Sequence, residues 1–103
     1  MPTDGGEALV EKLADAVEGF TVPVRMGDGI DDHALGKLRE VIVAVASTYR
    51  AENVIPKRVA AIFVELYPAI EGSVALYDDD AAERVLSEAN ELLDLILSSL
   101  ATD

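Results

Sequence analysis

An all-α fold, a single four-helix bundle, is what this sequence predicts, and three observations predict it. Four segments repeat apolar residues at spacings of three and four, the period of one helix face. Gly, Pro, Asn and Asp fall between those segments, where helices start and stop. The 103 residues are 50% apolar and only 5% aromatic, which suits one aliphatic core and leaves no room for a second domain. Residues 1–103 are therefore read as one helical unit.

The first helix is expected from about Asp4 to Phe20, with Leu9, Val10, Leu13, Ala16, Val17 and Phe20 on its inner stripe. Its opposite side carries Glu7, Glu11, Asp15 and Glu18. Like charges so spaced repel one another by a few tenths of a kcal/mol per pair. The stripe is either a solvated outer face or an acidic surface offered to a partner.

Residues 21–30 alternate apolar residues around Pro23 and then place Gly27 and Gly29 about Asp28, the pattern of an extended loop and turn. Val22, Val24 and Met26 are expected to pack over one end of the bundle. The second helix should start with Asp31 or Asp32 as N-cap and end near Asn53, burying Ala34, Leu35, Leu38, Val41, Ile42, Val45, Ala46 and Tyr49. Its run Val41–Ala46 is rich in β-branched residues, so an α+β fold with a strand there is the alternative. Helical spacing continues on both sides of the run and favours the helix. Gly36 costs a helix about 1 kcal/mol relative to Ala, so it is read as a point of close packing.

Pro56 suits the first position of a third helix, which turns Val59, Ile62, Phe63 and Leu66 inward and is expected to stop at Pro68. Asp78, Asp79 and Asp80 open the fourth helix, with Asp80 and Glu83 spaced as a capping box. Val85, Leu86, Ala89, Leu92, Leu93, Ile96 and Leu100 form its stripe, and Leu95 and Leu97 widen it. An arc that wide is either flanked by two neighbours or includes a homodimer seam along the C-terminal helix.

Charge bounds the function. Twenty acidic and eight basic residues give a net charge of -12, which repels phosphate backbones and anionic membranes, so direct nucleic-acid binding is disfavoured. Uninterrupted apolar runs reach no further than the six residues Val41–Ala46, and the first residues lack the pattern of a signal peptide. A cytoplasmic protein that neither crosses nor carries a signal for a membrane is the expectation. With no cysteine and one histidine, His33, the chain lacks the donors of a zinc site, and the Asp28–Asp32 spacing fails the calcium-loop pattern. No phosphate-binding loop or nucleophile elbow is present, so no cofactor, no metal and no catalytic residue is assigned.

One feature runs against local preference. Lys57 and Arg58 occupy the first turn of the third helix, where the dipole favours anions, and Arg50 lies one short loop away. Either Glu52 or an acid of another helix neutralises them, or Arg50, Lys57 and Arg58 form an anion site. The leading functional expectation is a small acidic, non-catalytic protein-interaction module, regulatory, accessory or immunity/antitoxin-like, engaging a basic protein partner through Glu7, Glu11, Asp15 and Glu18. The alternatives are a nucleic-acid mimic using that same stripe, or a small-ligand-binding helical bundle of a salt-adapted organism.

Overall fold

The structure is a computed structural model that describes the backbone of residues 4–100 and the side chains of residues 8–100. It contains helices α1 (Asp4–Arg25), α2 (Asp32–Tyr49), α3 (Lys57–Glu71) and α4 (Asp79–Leu100), with one 3-10 turn, Val74–Leu76, between α3 and α4. There is no strand among the described residues, and Val41–Ala46 lies inside α2. The all-α bundle expected from periodicity is therefore the fold.

Each helix packs against two others. α1 meets α2 and α3, while α4 meets α2 and α3, so α1 and α4 stand at opposite corners of a square, as do α2 and α3. Short connections fold α1 back on α2 and α3 back on α4. The seams that no direct connection joins are held differently: Arg58 near the start of α3 pairs with Glu11 of α1 at 2.7 Å, and Arg84 near the start of α4 pairs with Asp32 at the start of α2. Those pairs tie start to start, so α1 runs parallel to α3 and α2 parallel to α4. Arg39 of α2 adds Glu88 at 2.8 Å and Glu91 at 2.7 Å on α4.

The core is aliphatic with one aromatic at each end. Leu13, Phe20 and Val24 of α1 meet Leu38 and Ile42 of α2, Val59, Phe63 and Ile70 of α3, and Val85, Ala89 and Leu92 of α4 in one buried cluster. Such side chains stabilise by roughly 1.5–3 kcal/mol each on full burial. The two buried polar residues are Thr21 and Ser73, and no buried side-chain polar atom among the described residues lacks a hydrogen-bond partner.

Helix ends depart from the sequence reading in five places. α1 passes Phe20 and Pro23 and ends at Arg25, because Val24 lies one turn beyond Phe20 on the same stripe and is fully buried. The stop is a Schellman motif: the Gly27 amide donates to the Val24 carbonyl at 3.1 Å, the Asp28 amide donates to the Pro23 carbonyl at 2.8 Å, and Gly27 takes φ +80°. Val22 and Met26 consequently point outward, and only Val24 of the three expected to cover the bundle end does so. α2 ends at Tyr49 rather than near Asn53, since residues 50–54 are exposed and a further turn has nothing to bury.

α3 continues through Pro68 to Glu71. Pro68 and Val64, whose carbonyl the missing amide would have served, are both exposed, so water remains available to that carbonyl. Pro56 is the N-cap of α3 rather than its first helical residue. At α4 the cap is Asp78, which accepts from the Ala81 amide at 3.0 Å, and Asp80 is already helical. Asp31, one of the two expected caps, starts α2 by accepting from the amides of His33 and Ala34.

Candidate functional site

The topology sorts charge along the bundle. One end gathers the C-terminus of α1, the N-terminus of α2, the C-terminus of α3 and the N-terminus of α4. Asp28, Asp31, Asp32, Glu71, Asp78, Asp79 and Asp80 are all exposed there. Arg25 and Arg84 are the exposed bases at that end, and the opposite end carries Arg50, Lys57 and Arg58 with Glu52, also exposed. The helices divide as well: α4 holds six acids against Arg84 alone, whereas in α3 Lys57 and Arg58 balance Glu65 and Glu71.

At the acidic end the two connections are fastened together. The Tyr77 hydroxyl donates to the Val24 carbonyl at 2.6 Å and accepts from the Gly29 amide at 3.0 Å. This brings the turn around Gly27 against Leu76, whose Cβ lies 4.0 Å from where a Cβ on Gly27 would stand. Met26, 71% exposed, and Leu76, 58% exposed, therefore flank the same junction, with Val22 one turn back from Met26. These apolar side chains stand beside Asp28, Asp78 and Asp79, with Arg25 next to Met26. Local duties account for part of the acidity. Asp31 and Asp78 cap helices, Asp32 pairs with Arg84, and acids in a first turn oppose the dipole favourably. Asp28 has none of these roles.

The sequence-derived stripe on α1 is divided. Asp15 and Glu18 are exposed, but Glu11 accepts a 2.7 Å hydrogen bond from Arg58, which holds the guanidinium pKa above its ordinary value. The side chain of Glu7 lies outside the described residues. A continuous four-acid row is thus interrupted by an internal partner. The same contact divides the proposed anion site, because Arg58 turns to α1 while Arg50 and Lys57 make no ion pair among the described residues. Glu52, the nearest acid in sequence, is not the partner.

Arg50 does line a cleft. The C-terminal part of α2, the α2–α3 connection, Phe63 and the end of α4 enclose about 120 Å³, walled by Val45, Tyr49, Val54, Ile55 and Leu100. Small-molecule sites typically enclose about 300–1,000 Å³, so this cleft is small for one. His33 is exposed in the first turn of α2, and among the described residues no three His, Cys, Asp or Glu side chains converge on a metal-sized site. Along α4, Leu95 is half-buried against its neighbours while Leu97 stays exposed, so the wide arc serves two neighbours and leaves a remainder outside.

Comparison with protein-family models, with curated proteins and with solved structures finds no match for this chain. The acidic end with its apolar junction is the feature that sequence reasoning missed. Its signal was present in the Gly27–Asp28 and Asp78–Asp80 segments, but nothing in either predicts that the two turns meet.

Proposed function

We propose that this chain is a non-catalytic protein-interaction module whose acidic end engages a basic partner. The observation that carries the reading is the junction of Met26 and Leu76, exposed and apolar, between Asp28 on one turn and Asp78 and Asp79 on the other. Exposed apolar residues contribute affinity on burial, and a rim in which Asp28, Asp78 and Asp79 outnumber Arg25 contributes on-rate and selectivity for a basic partner. The overall charge of -12 reinforces that steering. The α1 stripe is a weaker candidate, since Glu11 is engaged by Arg58 and a phosphate-like row is broken there.

Capture from lysate of the source organism tests the reading, with wild-type protein and the double variant Met26→Ser, Leu76→Ser run side by side. One basic protein bound stoichiometrically by wild type in about 0.05 M salt, lost in about 0.5 M salt and lost in the variant, supports it. A partner retained by the variant moves the site elsewhere. Capture of nothing at either salt overturns the reading and leaves solubility or saline adaptation as the reason for the charge.

A further inference from the structure

The outer side of α3 carries Ala61, Val64 and Pro68 exposed between Lys57 and Glu71, with Glu65 exposed on its flank. The segment Lys57–Leu76 is long and apolar enough by composition to cross a membrane, yet only 28% of its most apolar window is buried in the bundle. Val59, Phe63, Leu66 and Ile70 account for the inner side, whereas Ala61, Val64 and Pro68 face out, Val64 being 74% exposed. As a membrane span α3 is short. Its 15 residues rise about 22 Å against a hydrocarbon core of about 30 Å, and Glu65 and Glu71 lie within it.

The arrangement of charge on that face selects its occupant. Lys57 and Glu71 are the first and last residues of α3, and Val64 is its midpoint. Residues seven apart fall nearly above one another on a helix, so Lys57, Val64 and Glu71 make one stripe, positive at one end, apolar in the middle and negative at the other. A face of that pattern complements itself when turned end for end. A two-fold axis through Val64 sets Val64 against Val64, and each Lys57 against Glu71 of the other copy. Ala60 and Ala61 are small enough to let two helices approach. α4 offers no equivalent, because its one base, Arg84, pairs with Asp32, so two copies of the face around exposed Leu97 would set acids such as Asp94 together with no cation between them.

We propose that α3 is a self-association surface, on which a second copy of this chain docks antiparallel across Val64. Such a contact is isologous and closes at a dimer. Single-helix contacts are small, so the dimer is a weak one that forms most readily when salt damps the repulsion between the acidic remainders of the two copies.

The chain has no cysteine, which makes cross-linking a direct test. Val64→Cys should form a disulfide-linked dimer at least tenfold faster than Leu97→Cys under the same oxidant, because the axis places position 64 opposite itself. In sedimentation equilibrium at about 0.3 M salt, where the screening length is about 6 Å, Val64→Asp should abolish the dimer. Lys57→Glu and Glu71→Lys should each weaken it at least tenfold, and the double exchange should restore it. Circular dichroism melts check that each variant is folded. A wild-type chain monomeric at millimolar concentration, a dimer indifferent to Val64→Asp, or faster cross-linking at position 97 overturns the proposal. So does binding to neutral phosphatidylcholine vesicles by a chain that never dimerises, which would give the face to a lipid surface.

Discussion

Tyr77 stands 53 residues from Val24 in sequence, and its hydroxyl donates to the Val24 carbonyl at 2.6 Å while accepting from the Gly29 amide at 3.0 Å. One side chain thus serves two backbone groups on the far side of the bundle end, where α1 has just stopped. Tyr77→Phe leaves the part-buried Gly29 amide without its partner, while the Val24 carbonyl keeps the Gly27 amide as a donor. An unsatisfied group costs about 1–3 kcal/mol, so the variant should lose stability in that range. Urea denaturation measures the loss, and hydrogen exchange should show the Gly29 amide losing protection more than amides at the opposite end. Equal loss everywhere would mean that Tyr77 acts through global packing rather than as a clamp.

Gly36 lies in the fifth position of α2, and no atom stands within 4 Å of the place its Cβ would occupy. The expectation of close packing there is corrected by open space. Gly36→Ala should therefore stabilise the protein by about 0.5–1 kcal/mol, through backbone entropy alone. Gly27 is the contrast, since its φ of +80° is one that L side chains rarely adopt. Gly27→Ala should destabilise by about 1 kcal/mol or more. Chemical denaturation of the two variants should move the midpoint in opposite directions.

The parallel seams carry the ion pairs, and Arg39 makes two of them. Its hydrogen bond to Glu91, opposed in part by burial and assisted by Glu88, holds its pKa above the ordinary arginine value. A raised pKa stabilises the fold at every pH below the ordinary arginine range and loses its effect only above it, so the Arg39 side of the contact is constant under physiological conditions. Exposed pairs contribute about 0.2–1 kcal/mol and are screened by salt. A double-mutant cycle between Arg39→Ala and Glu91→Ala, the exposed pair of the two, should return a coupling of that size that shrinks in about 1 M salt. A coupling unchanged by salt would assign the contact to side-chain packing instead.

Helix positions were legible because they rest on local pattern: Leu35, Leu38, Ile42 and Val45 recur at helical spacing and all are buried. Helix ends were less so, because tertiary burial decides them. Proline at 23 and 68 reads locally as a stop, but Val24 and Ile70 each find a buried place one turn further on, and the helices extend to reach it. The Arg58–Glu11 pair was legible only as an imbalance. Three cations around a helix N-terminus implied a partner, but sequence could not choose between Glu52 and an acid of another helix. The Met26–Leu76 junction was not legible at all, since it depends on which bundle ends meet.

Charge repulsion within the folded chain supplies the remaining prediction. Only Glu11, Asp32, Glu88 and Glu91 take part in ion pairs among the described residues, while Asp15, Glu18, Glu40, Glu65, Glu83 and Asp94 lie exposed along the helices without one. Added salt weakens both the few attractions and the many repulsions. The repulsions are more numerous, and compaction brings like charges together, so salt should stabilise the fold on balance. The urea midpoint measured with protein too dilute to associate should rise steadily between about 0.05 and 1 M sodium chloride. A midpoint that falls would mean that the four arginine ion pairs across the parallel seams outweigh the acidic surface, and would make them the main electrostatic support of the bundle.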